Sequence, residues 1–351
     1  MKKVLWLFVC LLIAASPITG ALAESDAAET RIFVDSVGRE VEVPVQIDRI
    51  APSGKMAHIV LYALAEDKFV CLSNAWTADA ETYIAPEVLE LPVVGQLYGS
   101  STLNVEALAA SDPQVVIDIG EPKDSVAEDM DAIEQQLGIP AVFIEMKTET
   151  AGDAYRMLGD LLGLEEEAET LAAYCEEIYA NTVDTMATIP QDKRVRLAYC
   201  MGEDGLSVIG KGSYHAEVID LVSDNVALID NPSTKGTGDV VDFEQLYLWD
   251  PQVVLFAPES AYDKVGGDEA WLALPAIESG NYYEVPCGPF NWMGFPPSVN
   301  RYIGMIWLSE LLYPDAFNYD LLAETQRYYQ LFYHYDLSEE QFNQLCANSL
   351  G

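Results

Sequence analysis

Apolar residues along the chain fall into short runs separated by stretches with helical spacing. Strand-like runs occur at 48–52, 69–73, 92–95, 115–120 and 140–145, and again near 194–201, 206–209, 253–258 and 282–286. The segments between them carry short amphipathic patterns that stop at Gly or Pro. Strands alternating with helices predict an α/β fold with mostly parallel sheets. Phe33 to Pro44 reads instead as a hairpin turning near Gly38. Residues 150–189 carry no strand signal. There, Ala168, Leu171, Ala172, Cys175, Ile178, Tyr179, Thr182 and Met186 recur at i, i+3, i+4 spacing. Glu165, Glu166 and Glu167 put negative charge in the first turn, and Pro190 marks the end. A helix over 165–187 would run about 34 Å, long enough to bridge two lobes. The tail is helical as well: Pro297 to Tyr313 stops at Pro314, and Ser338 with Gln341 forms a capping box.

An internal repeat organises these elements. Residues 103–116 (LNVEALAASDPQVV) and 241–254 (VDFEQLYLWDPQVV) align at one offset of 138 residues. Each copy reads as a short helix, an Asp-Pro stop and a buried strand. The period is too long for a solenoid and predicts two similar lobes. A looser echo supports this. Ser53-Gly54-Lys55 and Gly210-Lys211-Gly212-Ser213 each close a strand and open a helix, with His58 or His215 in its first turns. The expected organisation is an α/β lobe over 24–150, a helical linker over 151–190, and a second α/β lobe with the terminal helices over 191–351. A ligand cleft is expected between the lobes.

Composition narrows the function. The chain has 351 residues with 18 Lys+Arg against 57 Asp+Glu, a net charge of −39. Nucleic-acid binding needs a basic face and is disfavoured. Half the residues are apolar, so a large core is possible. The first 23 residues read as a secretory leader: Lys2 and Lys3, an apolar run from Val4 to Ala15, and an Ala21-Leu22-Ala23 cleavage site. No later run is long and apolar enough to span a bilayer. The mature product is therefore expected outside the cytoplasmic membrane, periplasmic or at the cell surface. Cys71, Cys175, Cys200, Cys287 and Cys346 remain, an odd number without any C-x-x-C pair. A Cys200–Cys287 bridge stays open at this point.

Several catalytic motifs fail on inspection. Gly205, Gly210 and Lys211 miss a phosphate-binding P-loop because Gly212 stands where Ser or Thr must hold magnesium. Ser223-Asp224-Asn225 and Lys235-Gly236-Thr237-Gly238 echo serine β-lactamases, but no Ser-x-x-Lys supplies the nucleophile. Three histidines, His58, His215 and His334, are few for a zinc site. His58 and His215 either face each other across the cleft or are satisfied within their own lobes. Lys55, Lys123, Lys147, Lys211 and Lys264 each follow a predicted strand, and Lys235 lies in a polar loop. Carboxyl ends of parallel strands form the binding edge of open α/β sheets, so these cations are candidates to hold an anionic group. Trp76, Tyr83, Tyr98, Tyr214, Tyr262, Phe290 and Trp292 cluster in predicted loops, which suits a cleft gripping a large, partly apolar ligand.

The opening segment DSVGREVEVP followed by Asp48-Arg49-Ile50, the recurrent Asp-Pro-Gln-Val-Val, and PPSVNRYIGMIWLSELLYPDAF together carry a resemblance. Over residues 31–345 the chain resembles the ABC-importer binding proteins for iron-siderophores, haem and cobalamin. The resemblance implies two lobes on one long helix and a non-enzymatic role: capturing a metal chelate and handing it to a permease with its ATPase. It implies no covalent cofactor and a monomer. It also implies permease docking through one glutamate per lobe, Glu217 in the second and Glu81 or Glu87 in the first. The ligand-facing candidates are Ser53, Gly54, Lys55, Trp76, Tyr98, Lys211, Ser213, Tyr214, Lys235, Phe290 and Trp292. Molybdate- or tungstate-type oxyanion binding is the alternative within this class. A ligand-sensing partner of a membrane receptor and an exported two-domain enzyme are the alternatives outside it.

Overall fold

The computed structural model describes residues 29–97, 102–233 and 235–350. The leader over 1–23 and Tyr98 lie outside the described residues. Thr30–Val34 and Glu40–Pro44 form the predicted antiparallel hairpin, with Phe33 opposite Val41. Gly38 turns it at φ +81°, a conformation that L side chains rarely adopt.

The N-terminal lobe is built on a parallel sheet of Ile50–Pro52, Val115–Gly120 and Ala141–Glu145, in that spatial order. Its central strand, VVIDIG, is buried along almost its whole length, as expected of a strand covered on both faces. The runs at 69–73 and 92–95 add only single bridges, Ile50 to Phe69 and Leu72 to Val93. Pro92 has no N–H with which to extend that pairing. The C-terminal lobe has a larger sheet, ordered Tyr282–Glu284, Val253–Phe256, Arg196–Met201, Ser207–Val208 and Asp239–Val240. Asp224–Asn225 pairs with Arg196–Met201 as well. The first three strands are parallel and the last two antiparallel. Only a five-residue turn joins Met201 to Ser207, too short for the crossover that parallel strands need.

The two Asp-Pro-Gln-Val-Val copies therefore stand in two different sheets. They also repeat one local latch. Asp112 and Asp250 both take left-handed backbone, at φ 52° and 47°. The Gln114 amide oxygen accepts from the N–H groups of Asp48 and Arg49, at 2.7 and 3.0 Å. The Gln252 amide oxygen accepts from the Arg196 N–H at 3.0 Å. Arg49 reaches the Asp112 carbonyl at 2.7 Å, and Arg196 reaches the Asp250 carbonyl at the same distance.

The predicted bridging helix is Glu165–Thr188, 24 residues and about 36 Å long. It buries Leu171, Cys175, Ile178, Thr182 and Met186. It lies against Ala151–Leu162 so closely that a Cβ on Gly159 would stand 2.6 Å from the Ala168 Cβ. Asn300–Leu312 and Leu321–Tyr333 close the interior. Chain order assigns the tail to the C-terminal lobe, yet Leu321–Tyr333 also packs on the N-terminal helix Lys55–Ala65. Tyr62 meets the rings of Tyr333 and His334 at 6.4 and 6.0 Å, and His334 pairs with Glu66 at 3.1 Å. One apolar core accordingly runs unbroken from Ile50 and Val60 to Tyr199 and Leu255.

No disulfide joins Cys200 to Cys287, so that bridge does not form. Burial pushes the thiols of Cys71, Cys200 and Cys346 up to about 12, so they pack as small hydrophobes. Among the described residues no helix is long and apolar enough to cross a membrane.

Candidate ligand-binding cleft

The N-terminal wall is made where its sheet ends. Strand Ile50–Pro52 runs into buried Ser53, then Gly54, whose extended backbone caps the helix Lys55–Ala65 without a side-chain bond. Next to it, Asp118 comes near the end of the central strand and accepts the Ser53 hydroxyl proton. Burial raises the Asp118 carboxyl above its usual range; the Ser53 bond and the Lys123 charge oppose that rise. This edge is the carboxyl end of a parallel sheet, the place where open α/β sheets hold ligands.

The C-terminal wall is a short turn, Tyr214–Ala216, together with Phe295, Pro296 and Pro297. The His215 ring stacks on Phe295, with centroids 5.0 Å apart. Buried Arg301 holds the turn in place. It donates to the Tyr214 carbonyl, to Glu217 and to Thr148, and its guanidinium lies 4.6 Å from the Tyr214 ring centre.

Between these walls lie two chambers of about 610 and 440 Å³. Both are lined by Lys55, His215, Pro296 and Pro297, so the two lie side by side along one cleft. The larger adds Asp118, Glu121, Lys123, Phe143 and Tyr214. The smaller adds His58, Trp76, Phe290 and Phe295. Trp76 packs edge-on against His58 at 4.4 Å and lies 5.7 Å from Phe290. Burial lowers the His58 pKa to about 3, so the imidazole is neutral.

A sequence profile described as periplasmic binding protein matches residues 57–287, about two thirds of the chain. The chain belongs to the periplasmic binding protein family. Family and fold are those of solute-binding proteins that serve ABC transporters. Among curated proteins, no sequence matches the chain. Solved structures do match. An ABC transporter solute-binding protein from Sulfurospirillum deleyianum is 28% identical, with a TM-score of 0.81, covering 90% of this chain and 98% of that one. A molybdate periplasmic binding protein from Haemophilus influenzae is 21% identical, with a TM-score of 0.67, covering 88% and 99%. A periplasmic catecholate-siderophore binding protein from Vibrio cholerae is 16% identical, with a TM-score of 0.56, covering 79% and 99%. At these last two identities the likeness is one of fold alone.

In this periplasmic binding protein the residues singled out from sequence part into two groups. Gly54, Lys55, Trp76, Tyr214 and Phe290 line the chambers, and Ser53 supports the wall through Asp118. Lys211 is turned away and pairs with Asp224 at 3.0 Å. Lys235 is exposed outside both chambers, although its neighbour Gly236 lines the smaller. Ser213 and Trp292 are buried, and neither lines a chamber. Glu81 and Glu87 are exposed, whereas Glu217 is engaged by Arg301. Among the described residues, no group of three or more His, Cys, Asp or Glu side chains is placed to hold a metal ion. Sequence reading missed Asp118, Phe143, Phe295 and the Pro296-Pro297 pair. The one available signal was a carboxylate standing alone in the apolar run VVIDIG.

Proposed function

We propose that this chain captures a metal chelate in the interlobe cleft and delivers it to an ABC importer permease. The observation that carries this reading is the lining of the smaller chamber. Aromatic faces from both halves of the chain, Trp76, Phe290 and Phe295, surround a space of about 440 Å³ edged by Lys55. Such a lining suits an anionic complex with apolar or aromatic ligand groups. Delivery is assigned to Glu81 or Glu87 on one lobe and Glu217 on the other. A permease arginine at Glu217 competes there with Arg301. Pairs of this kind act more on encounter rate than on affinity. The reading includes no catalytic step.

Oxyanion capture is the second reading. It is favoured by the uncapped first turn of Lys55–Ala65, which opens on the larger chamber beside Lys55 and Lys123. Asp118 and Glu121 line that chamber too, and their charge opposes a bare oxyanion. Native mass spectrometry with a metal scan of protein purified from its own cells decides between the two. A bound metal with an organic ligand is expected. Bound molybdate or tungstate without an organic ligand supports the second reading, and an organic solute without metal contradicts both.

A further inference from the structure

Arg301 stands behind the cleft wall rather than in it, and its guanidinium joins three parts of the molecule. It comes from the first turn of Asn300–Leu312, and it lines neither chamber. Nη1 donates to Glu217 and, at 3.3 Å, to the Thr148 hydroxyl. Nη2 donates to the carbonyl of Tyr214, whose ring lines the larger chamber. The arginine stem lies on Gly294, where a Cβ would stand 2.9 Å from Nε, and Phe295 and Pro296 follow directly in the wall of the smaller chamber. Thr148 belongs to the other lobe, just beyond the strand Ala141–Glu145. The neighbour of Arg301, Tyr302, donates to the Thr148 carbonyl at 2.6 Å. One buried cation thus braces the C-terminal wall against the N-terminal lobe.

A buried guanidinium needs a counter-charge. Among the described residues, Glu217 is the one carboxylate within 4.0 Å of it. The Arg301 side chain is 3% exposed and that of Glu217 is 34% exposed. Glu217 therefore meets the buried cation on one side and solvent on the other. A cation arriving from solvent and pairing with Glu217 leaves Arg301 charged, buried and unpaired. The guanidinium then turns toward water, and its bonds to Tyr214 and Thr148 are lost. We propose that Arg301 is a positioning residue for the solute and that Glu217 is its external control. Engaging Glu217 from outside frees the Tyr214 turn and lowers the affinity of the cleft. This rests on Glu217 as a permease-docking carboxylate and adds what docking there does to the solute.

The test uses the mature chain. Glu217→Gln removes the charge that an outside cation would neutralise. Hydrogen exchange over residues 212–218, read by mass spectrometry without solute, is expected to speed up about tenfold in this variant. Exchange over 165–188 should stay as it is, and Glu87→Gln should change neither stretch. Arg301→Lys keeps the charge but cannot fork between Glu217 and Tyr214, and it should open 212–218 as well. Affinity then separates positioning from general loosening, with ferric tris-catecholate and molybdate as the probes. Glu217→Gln should weaken whichever probe binds by about tenfold. In a Tyr214→Ala background the same substitution should change affinity by less than about twofold. Unchanged exchange over 212–218 overturns the proposal, as does a tenfold loss that persists without Tyr214. Binding of neither probe removes both solute readings, and exchange alone then decides for or against Arg301. Docking has its own measurement. If the co-expressed permease binds Glu217→Gln as tightly as the unaltered chain, docking at Glu217 and the external control are overturned, whereas the exchange and affinity results still assign Arg301.

Discussion

In the N-terminal lobe, the strand after Asp-Pro-Gln-Val-Val runs out to Asp118, a carboxylate in the cleft wall. In the C-terminal lobe the residue 138 positions later is Phe256, fully buried with its ring centre 5.2 Å from that of Trp271. At the other end of the same two strands, the latch of Arg, Asp and Gln is conserved in kind between the copies. The duplicated half thus keeps what starts the strand and varies what ends it. One copy ends in a carboxylate at the cleft and the other in packing. The C-terminal lobe brings its polar groups to the cleft from a different place, the Tyr214–Ala216 turn held by Arg301.

The sharpest way to break this comparison is to exchange the two ends. Phe256→Asp puts an unpaired carboxylate into a closed core and is expected to cost more than about 5 kcal/mol, leaving little folded protein. Asp118→Leu removes a carboxylate that burial already disfavours and takes an acceptor from the Ser53 hydroxyl and the Ile119 N–H, at about 1–2 kcal/mol. Urea unfolding of both variants checks the asymmetry, and equal costs would remove it.

The next largest effect is acid sensitivity on the N-terminal wall. His58 has a folded pKa of about 3 against an ordinary 6.5. The unfolded chain takes up this proton first, so stability is full above the ordinary value and falls as pH drops toward the folded one. The loss is on the order of 5 kcal/mol once the pH is below the folded value. His58→Leu should flatten that part of the stability–pH curve, and an unchanged slope between about pH 6 and pH 4 would contradict it.

Many of these features were legible in the chain before any coordinates. The repeat, the parallel strands at 115–120 and 253–258, and the bridging helix all rest on patterns of six residues or more. So did Lys55, Trp76, Tyr214 and Phe290 as cleft residues, because each stands in a loop after a strand-like run or beside one. The remainder was illegible for a physical reason: convergence in space leaves no local mark. Lys211 and Lys235 occupy the same kind of loop as Lys55, yet Lys211 finds Asp224 and Lys235 faces solvent. Trp292 stands two residues from Phe290 and is buried with 1% exposure. Asp118 is a single carboxylate in an apolar run, and only the fold sets the Ser53 hydroxyl beside it.

Smaller effects sharpen the shared end. Gln114 accepts two backbone N–H bonds and its amide nitrogen donates to the Gln46 carbonyl, whereas the side chain of Gln252 accepts one. Gln114→Ala is expected to cost about 1.5 kcal/mol and Gln252→Ala about 0.5 kcal/mol, measured by thermal or urea unfolding. The smallest effect is the tie between the C-terminal helix and the N-terminal lobe. The Glu66 bond raises the His334 pKa; for Glu66, burial is the largest single influence and pushes upward, but the His334 bond, the His334 charge and a backbone bond together outweigh it, and its pKa is lowered. His334 contributes below its ordinary pKa and is lost as pH rises through the raised one. Glu66 contributes above its ordinary pKa and is lost as pH falls through the lowered one. His334→Gln should therefore cost more at about pH 5.5 than at about pH 8.5, and under about 1 kcal/mol at either.

The central claim is that one bound solute touches both lobes at once. Anomalous diffraction at the metal's absorption edge, from crystals of protein purified from its own cells, tests it most directly. The account predicts a single strong peak inside the cleft, between the wall of Lys55, His58 and Trp76 and the wall of Tyr214 and His215. A peak on the outer surface, or a solute held by one lobe alone, would contradict it.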